Sequence, residues 1–150
     1  MTDRISFRIN GEPRSWKAPQ FNRKTGSAYK PKQEKVWQES IWGQAMPYAP
    51  AEPWTGPVGL IVRFRFPMPK TWPKWKKAKE QVWHDSSPDL SNLVKALEDA
   101  LKGVFFEDDR QVVSCRAQKT RWAGAPCVDV RMYRLPGLPE TRAEAKGGGG

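Results

Sequence analysis

Seven carboxylates and two lysines lie between positions 85 and 109 of a chain that is otherwise strongly basic. The carboxylates are Asp85, Asp89, Glu98, Asp99, Glu107, Asp108 and Asp109, and the lysines are Lys95 and Lys102. Two positive charges against seven negative ones give this segment a net charge of −5, whereas the whole chain has +10. Crowded carboxylates raise one another's pKa unless a cation lies among them, and hard divalent cations prefer oxygen ligands. A metal site in a protein that attracts polyanions predicts a nuclease.

Hydrolysis of a phosphodiester needs a metal that neutralises the non-bridging oxygens and lowers the pKa of an attacking water. We expect Asp89, at the start of a helix, and Asp109, in the loop after it, to meet if the helix packs beside the following strand. Lys95, about two turns into the helix, would then contact a phosphate or stabilise developing charge. The one histidine, His84, is interpreted as incidental to the site.

The same residue types have a structural explanation. Aspartate before an apolar periodic run is a standard N-cap, and consecutive aspartates are common in solvated turns. Asp89 would then cap the helix, and Asp108 and Asp109 would occupy a turn. Spacing alone leaves both interpretations open.

The elements that must position these residues can be read from hydrophobic periodicity. Leu90, Leu93, Val94, Leu97 and Leu101 form one stripe of a helix that opens at Pro88 and ends at Gly103. A first helix is predicted over Lys32 to Met46, where Pro47 stops it. Alternation predicts strands at Arg4 to Ile9, Val58 to Phe66, Val112 to Lys119 and Cys127 to Tyr133, the last two as a hairpin around Gly124. The polar segments Pro13 to Pro31 and Lys70 to Trp83 are predicted as a flexible basic loop and as a loop or short helix.

These elements predict an α+β fold, a single domain with a small mixed sheet and two main helices. At 150 residues the chain suits one hydrophobic core. We assign residues 1–134 to the domain and residues 135–150 to a flexible tail. No apolar run is long enough to span a membrane, and no leader opens the chain, so a cytoplasmic protein is expected.

Lysines and arginines outside the acidic segment are candidates for contacts with nucleic acid. The predicted DNA-binding residues are Lys17, Arg23, Lys24, Lys30, Arg63, Lys74, Lys76, Lys77 and Lys119. The alternative is a solvated surface that keeps the protein soluble. Trp72 and Trp75 suit either stacking on unpaired bases or packing in the core or a subunit interface.

The order PDLSNLVKALEDALKG followed by FEDDRQV resembles the signature of RusA-like Holliday junction resolvases. The family pattern reads approximately P-D-x-D-N-L-x-K, then D-A-L, a turn, and D-D-x-Q-V. The matching positions are Pro88, Asp89, Asn92, Leu93, Lys95, Asp99, Ala100, Leu101, Asp108, Asp109, Gln111 and Val112.

The resemblance implies a small homodimeric enzyme, of phage or prophage origin, that cuts four-way DNA junctions symmetrically with Mg²⁺, or with Mn²⁺ in its place. It implies that Asp89 and Asp109 are the metal-binding catalytic carboxylates and that Lys95 is the catalytic lysine. Asp108 and Asp99 would support them.

Ser91 departs from the family pattern, which has a second aspartate there. A hydroxyl is a weak, neutral metal ligand, so the site loses a negative charge and an oxygen donor. Three outcomes follow: a metal held by Asp89, Asp109, Ser91 and a neighbour such as Asp108 or Asp85; weak metal binding with slow cleavage; or junction binding without cleavage. A more distant alternative is a basic RNA-associated protein whose acidic turn is structural.

Overall fold

A strand with one buried and one polar face lies at the centre of the main sheet. In the computed structural model, which describes residues 3–15, 20–21, 24–26, 28–29, 32–139 and 141–147, this strand is β4 (Val58–Pro67). It pairs in parallel with β6 (Val112–Trp122) and antiparallel with β7 (Cys127–Arg134). β1 (Arg4–Asn10) extends the sheet beyond β7, and β5 (Gln81–Trp83) extends it beyond β6, giving the order β1-β7-β4-β6-β5. The prediction of an α+β fold with a mixed sheet is confirmed.

Two long helices cover one face of this sheet. α1 (Lys32–Ala45) packs against β1, and α3 (Leu90–Leu101) packs against β6 and against α1. The stripe predicted on α3 points inward, with Leu93, Leu97 and Leu101 fully buried. The apolar side chains of β4 meet the helices in a single core, because alternate residues of a strand face opposite sides.

The connection between β6 and β7 differs from the predicted hairpin, because β4 lies between the two strands. Both strands have the expected alternation, and Trp122 and Cys127 are separated by a connection short enough for a hairpin. Instead, β4 lies between the two strands and pairs with β6 on one edge and with β7 on the other. The predicted hairpin is therefore wrong, although both strands exist.

Short elements appear in the polar segments. α2 (Lys74–Lys77) and β5 lie within the segment 70–83, and the short strands β2 (Gln20–Phe21) and β3 (Ala28–Tyr29) pair within the basic loop. α2 is the short helix that was one alternative for residues 70–83, whereas the short strands were not predicted. The segment predicted as a flexible tail contains α4 (Arg142–Gly147). No helix among the described residues is long and apolar enough to cross a membrane.

Candidate active site

Asp89 stands at the start of α3 as its N-cap residue. Its backbone is extended, but its side chain makes no capping hydrogen bond, contrary to the structural explanation of this residue. The exposed Asp89 borders a groove of about 470 Å³. This groove is also lined by Glu12, Arg14, Glu34 and Asn92, among others. The carboxylate therefore faces a cleft that leads from the N-terminal segment to α3.

Lys119 fixes the loop that leads into this helix. Its ammonium group, on β6, donates to the carbonyl oxygens of Ser86 and Pro88, the second at 2.6 Å. Two of its three donors are thus directed at the backbone just before Asp89. This differs from the predicted phosphate contact: Lys119 positions the start of α3.

Asp108 caps the 3-10 turn Asp109–Gln111 at the other end of the helix. Its carboxylate accepts a hydrogen bond from the Arg110 N–H at 3.0 Å, and the Gln111 side chain accepts one from the Asp108 N–H at 2.8 Å. This reciprocal pair is a capping box. The Arg110 amide lowers the pKa of Asp108, with Asp109, Lys102 and Arg110 contributing further. The structural explanation thus describes Asp108, which was predicted as a metal ligand, better than it describes Asp89.

Gln111 ties this turn to the sheet. Its side-chain amide donates to the carbonyl oxygens of Trp54 and Gly56, at 2.8 and 2.9 Å, in the loop that precedes β4. The glutamine of the motif therefore has a positioning role. It fixes Asp109 between the end of α3 and the start of β6.

Glu98 is a half-buried carboxylate that the sequence interpretation left out of the site. Burial, together with the negative charges of Asp109 and Asp99, raises the pKa of Glu98 to about 7. Its charge in turn helps to raise the pKa of Cys115, on the helix-covered side of β6, although burial of that thiol is the larger cause. Asp109 and Asp99 thus lie close enough for their charges to add to the effect of burial on Glu98.

Lys95 lies on the exposed side of α3, between the two acidic ends of the site. On a helical projection Ser91, Lys95 and Glu98 share one side at i, i+4 and i+7. Ser91 and Lys95 are exposed. Lys95 is thus a helical neighbour of both Glu98, at i+3, and Asp99, at i+4. Asp99 also borders a small pocket with Glu34 and Trp37 of α1.

The length of α3 separates Asp89 from Asp108. The Lys102 ammonium, just after the helix, lies 3.7 Å from the Asp108 carboxylate, whereas Asp89 lies just before the helix. Twelve helical residues span ~18 Å. The charges of Asp109 and Asp99 act on Glu98, whereas Asp89 lies at the opposite end of α3 from Asp108. Among the described residues, no three His, Cys, Asp or Glu side chains are grouped closely enough to hold a metal ion by themselves.

His84 is a buried, structural side chain. Its ring packs edge-on against Phe66, with ring centres 4.8 Å apart. Burial, aided by the charges of Arg121 and Lys119, lowers the pKa of His84 to about 4. The imidazole is therefore neutral at physiological pH, which agrees with leaving it out of the site.

The predicted DNA-binding residues fall into three groups. Lys17, Arg23 and Lys30 lie outside the described residues, and Lys24 is exposed in a turn. Lys74, Lys76 and Lys77 form the exposed α2, where Lys76 stacks on Trp72 and Lys77 donates to the Lys70 carbonyl. Arg63 is exposed on the sheet face opposite the helices.

Trp75 is 74% exposed, so the interpretation that it packs in the core does not hold.

Comparison with known proteins agrees with the motif. The model of the family described as endodeoxyribonuclease RusA matches residues 10–133. A protein of Bacillus subtilis (strain 168), described as uncharacterized protein YqaN, is 32% identical over 140 residues, which cover 89% of this chain and 98% of the relative.

Proposed function

The chain belongs to the RusA endodeoxyribonuclease family, and from that premise we propose that it is a metal-dependent, homodimeric endonuclease that resolves four-way DNA junctions. The observation that carries this proposal is the half-buried Glu98 beside Asp109, on the same side of α3 as Lys95. A buried carboxylate pair with little compensating charge is unfavourable in the protein alone. It becomes favourable when a cation binds.

The side chains present fit a divalent cation. Mg²⁺ is commonly held through one or two carboxylates together with substrate phosphates and water, rather than by a complete protein cage. Glu98 and Asp109 would supply the two carboxylates, in agreement with the absence of a three-residue group among the described residues. When bound, the ion would neutralise phosphate oxygens and acidify a water molecule.

The residues of the chain have distinct proposed roles around the scissile phosphate. Lys95 would contact a non-bridging oxygen and stabilise the charge that develops there. Asp109 and Glu98 would bind the cation near the C-terminal end of α3. Asp89, which makes no capping bond, lines the groove at the other end of the ~18 Å helix, too far away to bind the same cation within one protomer. Asp108 and Gln111 would hold Asp109 in place through their capping box.

Ser91 supports a second candidate, a junction-binding protein that does not cut. The family pattern has a carboxylate at this position, and the serine lies exposed on α3, one turn before Lys95. We propose that Glu98 compensates, because it adds a carboxylate to the same side of the helix. Under the second candidate, Glu98 would not compensate for the missing carboxylate at position 91, and the protein would bind junctions without cutting them.

Cleavage of an end-labelled four-way DNA junction tests the proposal. Wild-type protein, Asp109→Asn and the matched control Glu107→Gln are incubated with the junction in Mg²⁺, in Mn²⁺ and in EDTA. Glu107 is an exposed carboxylate two residues from Asp109. We expect metal-dependent nicks that fall at least ~100-fold in Asp109→Asn, the order of loss typical for a group that stabilises the transition state, and that persist in Glu107→Gln. Tight junction binding without nicks in either metal would establish the second candidate.

A further inference from the structure

The sheet face opposite the helices carries an unusual set of cations. Alternation along the strands directs one set of side chains away from α1 and α3. These residues include Arg4 and Arg8 of β1, Arg131 of β7, Arg63 and Arg65 of β4, and Arg116 of β6, together with one carboxylate, Asp129. We call these seven residues the arginine face.

Strand pairing brings these side chains into rows across the sheet. Arg8 and Arg63 flank Asp129 in one row, and Arg131 lies in the next row between Ser6 and Ile61. Neighbouring strands lie ~4.8 Å apart, so the rows form a continuous cationic surface. A groove of about 440 Å³ follows it, lined in part by Arg8, Arg63, Arg65 and Arg131.

Part of this charge is compensated within the face, and part is not. Arg8 makes a two-pronged ion pair with Asp129, at 2.7 and 3.1 Å, and Arg65 lies 3.3 Å from the same carboxylate. Arg65 also stacks on the Trp122 ring, 4.3 Å from its centre. Within the part of the chain that the structure describes, Arg63 and Arg131 are exposed and have no carboxylate within ion-pair distance.

Solubility alone is a weak explanation for this composition. Every cation on the arginine face is an arginine, whereas the exposed segment 70–79 uses lysines only. Arginine presents a planar fork of donors that matches phosphate oxygens, and it is more weakly hydrated than lysine. Six arginines against one aspartate also disfavour a second copy of the same face, because like charges would meet. The complementary partner is a polyanion.

We propose that the arginine face binds the sugar-phosphate backbone of a DNA arm. The inference rests on the proposed function and extends it to a second contact. The acidic site lies on the helix-covered side of the sheet, and the arginine face lies on the other. One protomer would therefore contact DNA on both sides of its sheet, with the arginine face holding a segment away from the scissile phosphate.

The salt dependence of binding tests this. Affinity for a fluorescent four-way junction is measured by anisotropy in EDTA, from about 50 to 300 mM NaCl. The variants are Arg63→Gln/Arg131→Gln and the matched control Arg142→Gln/Lys146→Gln, whose residues are exposed on α4. We expect the slope of log affinity against log salt in the first variant to fall by about 2 for each protomer whose arginine face holds DNA, so by about 4 for a homodimer that engages both faces. The slope should change little in the control, and thermal unfolding should be unchanged in both.

The outcomes separate the two proposals. If the wild-type protein binds and nicks the junction but the first variant keeps the wild-type slope, the arginine face is not a phosphate contact and the proposed function stands. An equal loss of slope in both variants would reduce the face to general surface charge and overturn the inference. If the wild-type protein does not bind DNA, both proposals fail.

Discussion

Glu98 shows how burial and neighbouring charges act on a single carboxylate. The folded protein raises its pKa to about 7, so its ionised form is disfavoured in the folded state. The resulting loss of stability is absent below pH 4.5, where the carboxyl is protonated in both states, and grows as pH rises from about 4.5 to 7.

We therefore predict that Glu98→Gln stabilises the metal-free protein at pH 8. The expected gain in the free energy of unfolding is ~1 kcal/mol, because Glu98 is half-buried and solvent screens part of the repulsion. Urea unfolding in EDTA measures it, with the exposed Glu107→Gln as the control. The gain should vanish at pH 4. A glutamine variant no more stable than wild type at pH 8 would show that the folded protein does not disfavour ionised Glu98.

The residues of the site were predictable to different degrees. Asp109 and Lys95 follow from the motif, whereas Glu98 emerges only when helical spacing from Ser91 is combined with the nearness of Asp109. The capping role of Asp108 was not predictable as such, because two adjacent aspartates suit a ligand pair and a capped turn equally well. The placement of Asp108 relative to Asp89 depends on how α3 lies along β6 as well as on the ~18 Å length of the helix.

Pairing between β4 and β7 illustrates constraints that act on whole elements. Gly59 of β4 lies opposite Tyr133 of β7, and the tyrosine ring occupies the space beside the glycine. A Cβ atom on Gly59 would lie 2.1 Å from the ring, far inside contact distance. Tyr133 is further held by a 3.3 Å hydrogen bond between its hydroxyl and Ser114 of β6.

Gly59→Ala is accordingly predicted to destabilise the protein by about 1–3 kcal/mol, the usual cost of overpacking. Thermal or urea unfolding measures this cost in the wild-type background and in a Tyr133→Ala background. The cost should shrink to a few tenths of a kcal/mol when the ring is absent. An equal cost in both backgrounds would mean that glycine is needed for a reason other than the ring.

Element identity was easier to predict than element order. Alternation identifies β1, β4 and β7 because each has one buried side, whereas most of β6 is exposed or half-buried. The periodicity of α3 predicts a buried stripe that is confirmed. Alternation carries no information on which strands are neighbours. The four residues between Trp122 and Cys127 are enough either to close a hairpin or to cross the end of another strand. The two-residue and three-residue strands were missed because such lengths hold too little pattern.

At the scale of the whole molecule the sheet separates two kinds of surface. The helix-covered side holds the carboxylates and Lys95, and the open side holds the arginine face. Under the proposed function, the net charge of +10 would attract a polyanion, and a cation bound at the acidic site would offset the repulsion there. A homodimer would present two such sites to a substrate that is itself two-fold symmetric.

Cleavage of a supercoiled plasmid that extrudes a four-way junction from an inverted repeat is the most direct measurement of this account. A metal-dependent dimer that cuts two strands in one binding event should convert supercoiled DNA straight to the linear form in Mg²⁺, and should leave a plasmid without the repeat uncut. Equal cutting of both plasmids, nicked circles that accumulate without linear product, or no cutting in either metal would contradict it.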